Sequence, residues 1–145
     1  MLRFFTEDIT FSLPQKTQTR AWLKDLATRE GFKIGELNYI FCSDEYLLQV
    51  NREHLDHDYY TDIITFDNSE EETKLEGDIF ISVDRVRDNA QALGVPHEQE
   101  LRRVLAHGLL HLSGYGDKTD AEAAQMRQKE EEALEAWATA VIKKA

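Results

Sequence analysis

Two histidines, His107 and His111, stand four residues apart in a segment whose apolar residues recur at helical spacing. Side chains at i and i+4 share one face of a helix, so both imidazoles can reach one metal ion. The segment stops within a turn at Ser113-Gly114, and the chain continues Tyr115-Gly116-Asp117. Two glycines permit a sharp reversal that returns Asp117, the first carboxylate after the bend, toward the helix face just left. Two imidazoles and one carboxylate would leave a zinc ion an open fourth position for water, the arrangement of catalytic rather than structural zinc. The spacing by itself also fits a plainer arrangement, two half-buried histidines hydrogen-bonded to backbone. For Asp117 the plainer role is a turn carboxylate capping the helix that opens at Thr119.

Gly108 adds a second signal. Glycine inside a helix costs about 1 kcal/mol relative to alanine, and a close approach of another backbone or of substrate is the usual compensation. Because glycine and not glutamate follows His107, the H-E-x-x-H pattern of metalloproteases is absent, and any general base comes from elsewhere. Asp62 and Asp78 are candidates, although turn or edge-strand carboxylates with backbone partners explain them better. Neither G-x-G-x-x-G nor the P-loop pattern occurs. Cys42 reads as core, Ser43 and Ser82 have no histidine near them in sequence, and Glu130-Glu131-Glu132 reads as a solvated helix face.

The elements that must hold these residues follow from periodicity. Ile9, Phe11 and Leu13 alternate with Thr10 and Ser12, the period of a half-buried strand that Pro14 ends. Trp22, Leu23, Leu26 and Ala27 recur at helical spacing, with Gly31 where a left-handed C-terminal cap falls. Leu37, Tyr39 and Phe41 alternate while Ile40 and Cys42 are apolar on the other face, which predicts a strand buried on both sides. Ser43-Asp44-Glu45 starts a helix with Tyr46, Leu47 and Val50 as its buried stripe. Thr61–Phe66 and Gly77–Val83 are strands by composition, and the short acidic loop of residues 67–76 lets them pair as an antiparallel hairpin. Val86, Ala90 and Leu93 mark a helix closed by Gly94, and Pro96 suits the first turn of the next. Leu101, Val104, Leu105, Leu109 and Leu112 form the apolar face of that helix, which carries both histidines. A last helix opens at Thr119-Asp120 and runs through Met126, Leu134 and Trp137 to Lys143-Lys144. This order predicts an α/β (α+β) fold, a mixed sheet of about four strands with helices packed on it.

The chain has 145 residues, 41% of them hydrophobic and 31% charged, which predicts one globular domain over residues 1–145. Lys and Arg number 17 against 28 Asp and Glu, a formal charge of -11 that excludes a broad basic surface but not a small basic cleft. A single cysteine excludes an intramolecular disulfide and fits the reducing cytoplasm. The N-terminus turns acidic too early for a secretory signal, and no apolar run approaches the roughly 20 residues that span a bilayer, so no membrane association is expected.

The run His107-Gly108-Leu109-Leu110-His111-Leu112-Ser113-Gly114-Tyr115-Gly116-Asp117 resembles the H-G-x-L-H-L-x-G-Y-D-H signature of the YbeY family of bacterial metal-dependent endoribonucleases. Asn51 with Thr61-Asp62-Ile63-Ile64-Thr65-Phe66 is similar to the family's N…T-D-V-L-S-F block, and Gly77–Ser82 to its G-D-I-x-I-S strand. Met126 and Glu130 stand where the family has M and E in its last helix. The resemblance implies a cytoplasmic, zinc-dependent hydrolase that cuts single-stranded RNA, acting in small-subunit rRNA 3′-end maturation and ribosome quality control, with the small ribosomal subunit as a partner. It implies His107 and His111 as zinc ligands, with Asp117 where the family has a third histidine. A carboxylate is an ordinary zinc ligand, although its charge makes the bound metal a weaker Lewis acid. Leu55 stands where the family carries an arginine thought to engage RNA phosphate, and leucine cannot donate to phosphate. Arg52, three residues earlier, is a possible substitute. Two further readings follow: a non-cleaving ribosome-assembly factor with a structural metal site, and a zinc hydrolase for another bond.

Overall fold

Leu37, Tyr39, Ile40, Phe41 and Cys42 are all buried, so their strand has no face left for water and lies inside a sheet covered on both sides along this stretch. In the computed structural model, which describes residues 1–144 and side chains through residue 140, the elements run in the order the periodicity predicts. They are β1 (Leu2–Thr6), α1 (Lys16–Arg29), β2 (Lys33–Cys42), α2 (Asp44–Leu55), β3 (Ile63–Asp67), β4 (Lys74–Ser82), α3 (Val83–Leu93), α4 (His97–Leu112) and α5 (Asp120–Lys144). The side chains of Lys143 and Lys144, read as suiting the last helix's dipole, lie outside those described. The sheet has the order β1-β2-β4-β3, with β1, β2 and β4 parallel and β3 antiparallel to β4 at one edge. One face packs against α1, α3, α4 and α5 through Trp22, Val86, Leu105, Leu109, Met126 and Trp137. The other carries α2, whose Leu47 and Val50 cover Cys42 and Ile64.

Capping residues set several helix ends. Ser43 Oγ accepts from Tyr46 N–H at the start of α2, and Ser82 Oγ accepts from Arg85 N–H at the start of α3. Both serines are therefore caps, as the helix start read at Ser43 implies. After α1, Phe32 N–H reaches Ala27 carbonyl and Gly31 N–H reaches Thr28 carbonyl, with Gly31 left-handed at φ 88°. That pair of bonds is the Schellman arrangement, which glycine adopts without a Cβ penalty.

Several expectations are corrected. Ile9, Phe11 and Leu13 form no strand: the place beside β2 is taken by Leu2–Thr6 in parallel register, Leu2 opposite Leu37 and Phe4 opposite Tyr39. At Asp8 the backbone turns left-handed and leaves the sheet, held by its carboxylate, which accepts from Ser43 N–H and Oγ–H. The three apolar residues still turn inward as extended coil, with Phe11 5.0 Å from Phe41 between ring centroids. The fourth strand begins at Lys74 and ends at Ser82, so residues 74–76 pair rather than loop and Val83 is helical. Pro96 is the N-cap of α4 and not within its first turn. Leu93 is exposed, while Tyr46, Leu112 and Leu134 are only half-buried.

Two contacts seat α4 on the sheet. The fully buried Tyr39 donates its hydroxyl to Leu105 carbonyl at 2.8 Å. Gly108 lies directly over the sheet: a Cβ there would stand 2.9 Å from Ile63 Cδ1 and 2.9 Å from Ile79 Cγ2. The compensation for a helical glycine is thus the approach of two sheet side chains, not of a backbone or substrate as expected. Gly108→Ala gains about 1 kcal/mol of helix propensity but overpacks a site whose Ile79 is fully buried, which costs about 1–3 kcal/mol. The expected result is a net loss of roughly 1 kcal/mol in urea unfolding, with a larger loss for Gly108→Val; a stabilised Gly108→Ala would show that the two surfaces are not in contact.

Candidate metal centre

The two histidines flank the seated glycine, so the contact that holds α4 on the sheet also fixes where they stand. Their rings lie edge to face with centroids 4.5 Å apart. Each has its Nδ1 engaged. His107 Nδ1–H donates to Glu130 Oε2 at 2.6 Å, and His111 Nδ1–H donates to Tyr115 carbonyl at 2.8 Å. A carbonyl only accepts, and an ionised carboxylate only accepts, so both bonds place the ring proton on Nδ1 and leave Nε2 as a lone-pair donor.

Both Nε2 atoms face Asp117, whose Oδ2 is 3.5 Å from His107 Nε2 and 3.3 Å from His111 Nε2. One donor atom from each of the three residues lies within 4.8 Å of the other two. Among the described residues this is the only such group of three. The bend works as the glycines imply. Ser113 ends α4, Gly114 is left-handed at φ 109°, and Tyr115 N–H closes onto Leu110 carbonyl. The Tyr115 hydroxyl donates to Glu30, whose other carboxylate oxygen accepts from Lys129. Gly116 is packed so tightly that a Cβ would overlap the Glu122 carboxylate. That carboxylate accepts from Thr119 N–H, while Thr119 Oγ1 accepts from Glu122 N–H, a reciprocal capping box at the start of α5. The cap is supplied by Thr119 and Glu122, so Asp117 is free to face the histidines.

Glu130, bonded to His107, is the residue beside this group that the sequence reading misplaced. Instead of lying on a solvated face it is 4% exposed. Burial alone would raise its carboxyl, but the His107 hydrogen bond and the Arg103 guanidinium outweigh this and hold it below the ordinary carboxylate range. Arg103 donates to Glu130 at 3.0 Å and forks onto both oxygens of the buried Glu100. A signal was present in the sequence: Met126, Ala133 and Trp137 are buried, and Glu130 occupies the remaining position of that four-three-four stripe.

The other candidates stand apart. Asp78 accepts from Asn38 Nδ2 on the α2 face of the sheet, opposite the histidine helix. Asp62 precedes β3 and its carbonyl accepts from Ser82 N–H; its carboxylate is not in the His-His-Asp group. Arg52 is paired with Asp58, which answers its charge locally. Leu55 ends α2 and is 39% exposed. Cys42 is fully buried, and burial, reinforced by Asp8 and Asp84, pushes its thiol up to about 12.

Known proteins resemble this chain over most of its length. The family model described as Endoribonuclease YbeY matches residues 4–138. A Cytophaga hutchinsonii protein named Endoribonuclease YbeY is 63% identical over 131 residues, covering 90% of this chain and 92% of that protein. One of the same name from Porphyromonas gingivalis is 48% identical over 133 residues, covering 92% of this chain and 87% of its own. The solution structure of a Thermotoga maritima protein shares the fold, with a TM-score of 0.69 at 24% identity over 99% of this chain and 93% of that one. With the match spanning sheet, histidine helix and bend together, the chain belongs to the YbeY endoribonuclease family.

Proposed function

We propose that this single-domain chain is a zinc-dependent endoribonuclease that cuts single-stranded RNA, with His107, His111 and Asp117 as its protein ligands. The observation that carries it is the pair of Nε2 lone pairs and the Asp117 carboxylate turned to one point, with both Nδ1 protons held elsewhere. Nitrogen and oxygen donors in this number suit zinc and leave a coordination position open. Bound there, zinc supplies a Lewis acid for a phosphoryl oxygen and lowers the pKa of water toward about 7.

The chain's own residues do the rest. Glu130 and Tyr115 carbonyl hold each imidazole proton at Nδ1, so neither ring rotates away from the centre. Arg103 keeps Glu130 an anion, and therefore an acceptor. Asp117 adds negative charge beside the reacting position, which favours a metal cation. The small-subunit rRNA substrate, the ribosome as partner, the quality-control role and the cytoplasmic setting rest on the motif resemblance. No helix among the described residues is long and apolar enough to cross a membrane.

A second reading, an assembly factor that holds metal and cuts nothing, is favoured by one observation. The family arginine position holds Leu55, and its nearest substitute, Arg52, is spent on Asp58. Incubating the zinc-loaded protein with single-stranded RNA decides between them. Cleavage that a chelator abolishes and zinc restores is the expected result; intact RNA under all conditions favours the assembly factor.

Two variants test the ligand set. Asp117→Ala leaves two protein donors, too few to hold zinc tightly, so bound metal should fall from about one per chain toward none. The metal-free melting temperature should hardly move, because Thr119 and Glu122 still cap α5. Full zinc occupancy in this variant would remove Asp117 from the centre. Glu130→Ala should weaken zinc binding about 10–100-fold by releasing the His107 ring, and Glu130→Gln, which keeps an acceptor, should recover most of it. Equal zinc affinity in all three proteins would show that Glu130 does not orient the ring.

A further inference from the structure

The last residue of α2 and the segment that follows it hold three of the large apolar side chains that the fold leaves exposed: Leu55, Tyr59 and Tyr60. This is not a loose loop. Asn51, 1% exposed, accepts from His57 N–H with its carbonyl and donates from Nδ2 to Tyr59 carbonyl at 2.9 Å. Arg52 closes the same turn onto Asp58. A buried amide thus pins the backbone at the point where the Tyr59 ring is held outward, 55% exposed.

The two tyrosines differ in what remains free. Tyr60 donates its hydroxyl to Glu45 and has the Arg85 guanidinium 5.2 Å from its ring centroid, so it is committed to the protein. Tyr59 stacks beside the His57 ring, 5.2 Å between centroids with 23° between planes, and its hydroxyl bonds to His57 Nδ1 at 3.1 Å, so both of its contacts are to one neighbour and the residue stays 55% exposed. The segment runs directly into β3, whose Ile63 lies against Gly108 between the two histidines. Three residues separate Tyr59 from Ile63, so their α-carbons are at most about 14 Å apart, which bounds how far the ring stands from the helix that carries the histidines.

We propose that Tyr59, backed by His57, is a stacking site for one nucleobase of the single-stranded RNA bound at the His107–His111–Asp117 centre. The proposal rests on the endoribonuclease reading. A chain of net charge -11 with leucine at position 55 and Arg52 paired has little cationic surface for phosphate at this edge. An aromatic ring supplies affinity through the base face instead, without a positive charge and without sequence preference. A base stacked in a duplex offers no free face, so the same contact selects single strands.

The test is fluorescence anisotropy with labelled oligoadenylate and oligouridylate in the presence of chelator, so that nothing is cut. Tyr59→Ala should weaken oligoadenylate binding between about fivefold and 150-fold, the span that one base–aromatic stack is worth. Tyr59→Trp should bind at least as well as the natural chain. The slope of affinity against salt should be the same for all three proteins, because no phosphate contact is removed. Zinc content and melting temperature should also be unchanged, since the ring is mostly exposed. Equal RNA affinity in Tyr59→Ala, or a Tyr59→Trp as weak as the alanine variant, overturns the proposal. If the natural chain cleaves RNA while Tyr59→Ala binds it equally, the stacking site fails alone. If the natural chain neither binds nor cleaves RNA, the endoribonuclease reading fails and takes the stacking site with it.

Discussion

The contact on which the rest depends is the seating of α4 against the sheet at Gly108. A side chain of any size there meets Ile63 and Ile79 at less than van der Waals distance, so the helix would stand off. His107 and His111 sit on either side of that point, and the bend that returns Asp117 begins one turn beyond it. Moving α4 outward would carry both imidazoles away from the sheet. The hydroxyl of Tyr39 on Leu105 carbonyl fixes the same helix along its axis, one turn earlier. Close approach and axial position are therefore set by two buried contacts, neither of which touches the donors themselves.

Charge is handled with the same locality. The chain carries far more acids than bases, yet many of the acids serve as internal acceptors. Asp8 holds the start of α2, Asp84 accepts from Asp44 N–H, and Glu30 joins Tyr115 to Lys129. Arg85 is taken by Asp44 and Arg103 by Glu100 and Glu130. Bases committed in this way cannot also serve phosphate, so the surface gains little cationic character from them. The Glu100–Arg103–Glu130 chain differs from the others because it ends on a donor ring, which connects the packing of α4 on α5 to the orientation of His107.

Most of the fold is legible in the sequence because period and caps agree. The β2 alternation with apolar residues on both faces, the serine caps and Gly31 each announce an element whose chemistry leaves one solution. The first strand is not legible: Leu2–Thr6 offers only Leu2 and Phe4 to the core, while Ile9, Phe11 and Leu13 alternate over a longer run and are equally drawn inward without pairing. Hydrophobic alternation reports which side chains turn in, not whether a neighbouring strand is available. The grouping of His107, His111 and Asp117 is legible from spacing and glycines, since the three are local. Glu130 is not, because its meaning comes from Arg103 and His107 on another helix. A run of three glutamates looks solvated until the stripe that contains the first of them is traced.

Cys42 has a consequence for the chemistry that the centre can withstand. Thiolate is the donor zinc binds most readily among side chains and also the one that peroxide, disulfides and electrophiles attack. Here the chain's one sulfhydryl is enclosed on the α2 side of the sheet and kept protonated. The candidate donor set on the opposite side is imidazole and carboxylate alone, with no thiol or thioether in it. Oxidation of that thiol therefore changes none of the three side chains that face one another at the candidate centre.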